Sequence, residues 1–182
     1  DLPTKENIKE NLGLDGDLPL IFAPISGPIK ERAYFTRVLI KIFKDFPKDY
    51  QVVMSLGYPN SSMNPIHYGN VTIYGWVPNR FEYLKACDLI IARAGHGTVT
   101  QAMCYGKPMI LIPTPSHTEQ LNNARRVAEL GIAEVFEQNN LNREMLVDAV
   151  NRMLTDKKYM SRVERVWRTV SKLNGLNVAV EA

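Results

Sequence analysis

Gly95-His96-Gly97-Thr98 follows an apolar run, Leu89 to Ala92, and leads into a segment of helical character. Glycines let an anion reach the backbone, and the free N–H groups of a helix start favour negative charge there. The spacing therefore suits a phosphate or diphosphate, although a bare strand-to-helix turn has the same spacing. A second group, Gly75-Trp76-Val77-Pro78-Asn79, puts an aromatic at a strand end. Trp76 there either stacks on a planar base or belongs to the core. Pro78 keeps Val77 extended, which leaves the Val77 backbone groups free to pair with a base edge.

A third group, Ser116-His117-Thr118-Glu119-Gln120, is rich in hydrogen-bonding side chains suited to sugar hydroxyls. Ser116 and Glu119 also fit a capping box. In that case Gln120 carries the sugar recognition. Together the three groups suit a ligand with a diphosphate at one end and a polyol at the other. Other chemistries find no pattern. His67, His96 and His117 have no zinc-site spacing. There is no G-x-S-x-G elbow and no cysteine motif for a nucleophile. No G-x-G-x-x-G follows the first strand, which argues against a nicotinamide or flavin dinucleotide. Neither a cofactor nor a metal is expected.

The elements that must position these groups alternate. Strands are expected at 18–25, 51–56, 71–76, 88–92, 108–112 and 132–136. Helices are expected from Pro28 through Phe46, then at 79–86, 96–105, 118–130, 142–155 and 157–173. Residues 57–70, rich in Pro, Asn, Ser and Gly, read as a loop. The last helix is expected to bury Val163, Val166, Trp167 and Val170 on one face. Alternation with short joins predicts an α/β fold with a doubly wound, parallel, six-stranded sheet. In such sheets ligands bind beyond the carboxyl ends of the strands. That edge carries residues 25–28, 75–79, 93–98 and 113–120, and every informative group lies in one of these loops.

At 182 residues, with 45% apolar and 23% charged, the chain has the composition of one ordinary globular domain. A net charge of +3 is too small to argue for nucleic acid. Lys30, Arg37, Lys41, Lys44 and Lys48, then Arg162, Arg165, Arg168 and Lys172, group on helices. They read as solvated faces, with attraction to anionic lipid as the alternative. Cys87 and Cys104 lie in expected helices, outside any disulfide framework, so a reducing, cytoplasmic setting is expected. Residues 1–17 read as a connector from a separate N-terminal domain, and 18–182 as the binding domain.

The combination W-x-P, R-A-G-H-G-T, G-K-P and E-Q-x-x-N-A resembles the C-terminal, donor-binding domain of GT-B glycosyltransferases. It is similar to the MurG-like group, to the UDP-glycosyltransferases and to donor subunits of the dolichol pathway. The resemblance runs from Leu18 to Leu154 and is strongest over 75–124. It implies a Rossmann-like domain that binds a nucleotide sugar, UDP-linked by analogy. Trp76 and the Val77 backbone would hold uracil. Arg93, Gly95, His96, Gly97 and Thr98 would surround the diphosphate. Gln101 stands where relatives carry a ribose-binding glutamate, and Glu119 with Gln120 matches the pair that contacts the transferred sugar. His117 and Asn123 lie in the same region, and Ser26 and Gly27 match the loop after the first strand.

The resemblance further implies inverting, metal-independent transfer of a hexosyl or N-acetylhexosaminyl group to a hydroxyl acceptor. Arg93, Thr98 and the helix start would stabilise the leaving group. The catalytic base is expected in an N-terminal acceptor domain or a partner subunit, so the domain alone is expected to be inactive. A lipid-linked acceptor would bring the enzyme to the cytoplasmic membrane face. The alternatives are a sugar-nucleotide 2-epimerase of the same architecture, or a non-catalytic nucleotide-binding subunit. A G-G-x-x-E-E-type segment would mark the epimerase, and residues 95–101 do not match it.

Overall fold

The computed structural model describes residues 2–61 and 64–173. Helix α1 (Lys5–Asn11) leads into β1 (Leu20–Pro24), α2 (Ile29–Phe43), β2 (Gln51–Ser55), β3 (Ile66–Tyr68) and β4 (Val71–Tyr74). Then come α3 (Arg80–Ala86), β5 (Leu89–Ala92), α4 (His96–Cys104), β6 (Met109–Leu111) and α5 (Thr118–Glu129). β7 (Ala133–Val135), α6 (Arg143–Thr155) and α7 (Lys157–Lys172) complete the described chain.

Seven strands form one sheet in the order β3-β4-β2-β1-β5-β6-β7. Every neighbouring pair is parallel except β3–β4. From β1 the chain winds outward through β2 to β4, then crosses back to β5 on the other side of β1. The order therefore reverses between β1 and β5, which is where open α/β sheets bind ligands. β1, β2, β5 and β6 are buried at every residue. Strands covered on both faces read as continuous apolar runs, which is how LIFAP, QVVMS, LIIA and MIL read. Phe22, Phe35, Phe43, Tyr83 and Leu84 fill the core around them.

Three expectations change. The sheet has a seventh strand: β3 runs antiparallel to β4, with His67 opposite Thr72 and Tyr68 opposite Val71. Gly69 takes φ 57° in the two-residue turn, and the Asn70 amide holds the Pro47 and Tyr50 carbonyls. All three β3 residues are exposed, so no apolar pattern announced the strand. The segment read as a connector is folded in part. Ile8 of α1 is buried, Lys5 pairs with Asp88, and the Lys9 ammonium donates to the Leu18 carbonyl at 2.6 Å. Finally, α7 buries Tyr159 and Val163, while Trp167 is 41% exposed and lies against Gly106. Among the described residues no helix is long and apolar enough to cross a membrane.

Candidate functional site

The carboxyl ends of β4, β2, β1 and β5 surround a cavity of about 150 Å³. That is smaller than the roughly 300–1,000 Å³ of whole small-molecule sites. From the expected residues it gathers Ser26, Gly27, Trp76, Val77 and Thr98. It adds Arg32, Ser55, Gly57 and Arg80, which motif reasoning missed. Arg32 and Arg80 each sit near the start of a helix leaving the carboxyl edge. Their position in the first turn of a helix after a strand was the available signal.

Gly57 has a structural reason. It sits at φ 75°, and a Cβ there would lie 2.6 Å from the Ile25 carbonyl oxygen. That close approach draws the loops after β1 and β2 together, and the Arg32 Nη1 donates to the Gly57 carbonyl at 2.7 Å. The Arg32 guanidinium lies 4.2 Å above the Tyr58 ring, and its Nε is buried without a partner. Trp76 is 41% exposed at the cavity wall, so the core reading of this residue fails. Val77 is buried, and its N–H donates to the Ser55 Oγ at 3.3 Å. The Val77 N–H is thus engaged, contrary to the expectation of a free backbone.

At the far end, Gly95 caps α4 with no side-chain hydrogen bond to the helix. The first turn of α4 carries no acidic side chain. A Cβ added at Gly95 or Gly97 would meet no protein atom within 4 Å. Packing does not demand glycine at either position, and the space above the helix start is open. His96 is exposed and Thr98 is buried at the cavity wall. One turn further, the Gln101 carboxamide oxygen is buried with no partner.

Arg93 does not face that space. Its guanidinium is buried 4.0 Å above the Phe35 ring and donates to the Glu31 and Ile112 carbonyls at 3.2 and 3.4 Å. Burial pulls its pKa down to about 10, against the opposing influence of the Glu31 carboxylate. The side chain knits α2 to the strand edge, its guanidinium engaged by those two carbonyls and the Phe35 ring.

The loop after β6 also differs from expectation. Ser116 is left-handed (φ 64°), so the helix starts one residue later than a capping box would require. His117 is the cap, and its Nδ1 accepts from the Gln120 N–H. Gln120 is buried, its side-chain oxygen accepting from the Thr114 N–H at 2.8 Å. Glu119 is exposed, with only a 3.5 Å contact to Asn123. Of the two alternatives for this pair, the capping box that would occupy Glu119 fails: Gln120 builds the loop and Glu119 is exposed. Asn123 Nδ2 donates to the carbonyl of Ala94, itself left-handed at φ 64°, and so joins this loop to the start of α4. Among the described residues no group of three or more His, Cys, Asp or Glu side chains is placed to hold a metal ion.

The fold is that of the GT-B glycosyltransferases. The calicheamicin glycosyltransferase CalG4 superposes with a TM-score of 0.71 at 26% identity, over 86% of this chain and 40% of that one. Residues 30–172 match the glycosyltransferase family 28 C-terminal domain, and the chain belongs to that family. An uncharacterized glycosyltransferase of Methanosarcina mazei is 29% identical over 171 residues, 94% of this chain and 45% of that protein. A UDP-N-acetylglucosamine–N-acetylmuramyl-(pentapeptide) pyrophosphoryl-undecaprenol N-acetylglucosamine transferase of Desulforamulus reducens is 37% identical over 101 residues. Those residues are 54% of this chain and 27% of that enzyme, so this chain spans less than half the length of either relative.

Proposed function

We propose that this domain binds the donor, a UDP-sugar, of an inverting, metal-independent glycosyltransferase. The observation that carries the reading is the start of α4: an uncapped helix terminus, free of acidic side chains, with open space above Gly95 and Gly97. Backbone N–H groups and the helix dipole there neutralise a diphosphate. The same groups stabilise the charge that develops on the diphosphate as the sugar leaves, and they need no reorganisation to do so. The exposed face of Trp76 offers a stacking platform for the base. Glu119, exposed across the Asn123 bridge, is the residue placed for the hydroxyls of the transferred hexosyl or N-acetylhexosaminyl unit. The name of the Desulforamulus reducens relative supports UDP as the nucleotide.

The acceptor hydroxyl and the base that deprotonates it belong to an N-terminal acceptor domain or partner subunit, so this domain alone binds donor without transferring sugar. A lipid-linked acceptor, met at the cytoplasmic membrane face, fits the basic helix faces.

Gly97→Val tests the reading. A Cβ at this position meets nothing in the protein, so the variant folds with an unchanged melting temperature. Millimolar UDP raises the melting temperature of the parent chain and leaves that of the variant unmoved. A parent chain that ignores UDP, or a variant that binds it as well as the parent, overturns the proposal.

A further inference from the structure

Arg80 is the first residue of α3 and shares the cavity wall with Trp76 and Val77. Its Nε and Nη2 are buried and meet no acceptor. Burial lowers its pKa, and no carboxylate pairs with it; the ion pairs among the described residues are Lys5–Asp88, Arg152–Glu134 and Arg168–Glu164. Nε–H and Nη2–H lie along one edge of the guanidinium plane and form its two-donor fork. A buried donor without an acceptor is destabilising, and most so on a charged group. Such a fork beside a cavity calls for an acceptor from outside the chain.

The sheet order says which part of a ligand arrives there. Along the cavity come Trp76 and Arg80 after β4, Gly57 after β2, Ser26 after β1 and Thr98 after β5. A nucleoside diphosphate with its phosphates over α4 puts its base at the β4 end, on Trp76. The Val77 N–H, the backbone donor at that end, already serves the Ser55 Oγ. The Arg80 fork supplies the donors instead. Guanidinium has donors and no acceptor, so it donates to the C4 carbonyl of uracil or thymine, whose two lone pairs can take both N–H groups, and meets the C4 amine of cytosine donor-to-donor.

We propose that Arg80 specifies the base, its Nε–H/Nη2–H edge selecting a pyrimidine with a carbonyl at C4, uracil or thymine, over one with an amine at C4, cytosine. The proposal rests on the nucleotide-donor reading above and names the residue that sets its base preference.

Calorimetric titration of the chain with UDP and CDP, which differ at C4 (carbonyl against amine) and at N3 (N–H against acceptor), provides the test. The parent chain binds UDP more tightly by about 10- to 100-fold, the range of a hydrogen bond to a charged group. Arg80→Met keeps the stem, removes the fork and brings the two affinities together, chiefly by weakening UDP. Arg80→Lys keeps the charge and a donor without the planar fork, so its preference falls between those of the parent and Arg80→Met while its salt dependence stays that of the parent. Equal losses for UDP and CDP, with the preference intact, assign Arg80 to the phosphates and overturn the proposal. A parent chain that binds UDP and CDP alike ends this inference alone; one that binds neither ends the donor reading as well.

Discussion

Arg93→Met separates two roles for one residue: a contact to the donor's phosphates, as family resemblance implies, or a brace between α2 and the strand edge, as the structure shows. The brace consists of hydrogen bonds to the Glu31 and Ile112 carbonyls at 3.2 and 3.4 Å and a guanidinium 4.0 Å above Phe35. Both hydrogen bonds are long, so each contributes at the low end of about 0.5–1.5 kcal/mol. The desolvated cation–π contact adds about 2 kcal/mol. Methionine keeps the apolar stem packed, and removing a buried cation without a carboxylate partner recovers part of the loss. The net destabilisation is about 2 kcal/mol, which lowers the melting temperature by roughly 4–8 °C in a domain of this size. The assay pairs urea denaturation with UDP titration at the same pH. The expected result is a lower denaturation midpoint with UDP affinity changed by less than about threefold, a fraction of one hydrogen bond. An unchanged midpoint with a tenfold or greater loss of UDP affinity would refute the brace and support the phosphate contact.

Two further outcomes follow from the geometry. Gln120→Ala leaves the buried Thr114 N–H without its 2.8 Å acceptor and lowers stability by about 1–3 kcal/mol in urea denaturation; Glu119→Ala stays within about 0.5 kcal/mol of the parent, as exposed positions do. Should Glu119→Ala prove the more destabilising of the two, the assignment of this pair is wrong. Cys87 is buried and its thiol is pushed up to about 12 by that burial, whereas Cys104 is exposed. Iodoacetamide at pH 8 therefore labels one cysteine in the folded chain and both in urea; two labels on folded protein would contradict the burial.

The alternation of apolar runs with amphipathic segments made the order of the main elements legible, because strands buried on both faces and helices buried on one leave distinct periods. β3 escaped because all three residues face solvent, although its Gly69-Asn70 turn was a hairpin signal. At the site, the helix start at Gly95 was legible because glycines after a strand suffice to mark it, whereas the engagement of the Val77 N–H by Ser55 was not. Side-chain orientation was not readable. Nothing in the spacing told Arg93 to turn inward over Phe35, or moved the cap from Ser116 to His117 and so released Glu119 from it. Arg32 and Arg80 became visible only when separate helices met at one cavity.

The bond from Asn123 to the Ala94 carbonyl clamps the turn before α4 to the helix that follows β6. Under the donor reading, two surfaces more than twenty residues apart in the chain are thereby held together as one jaw. The order needed to grasp both ends of an extended molecule is established when the chain folds, so little of it has to be bought again at each encounter. Exchange of partners at this edge is then governed by how fast the occupant departs, since the jaw has no rearrangement of its own to complete first.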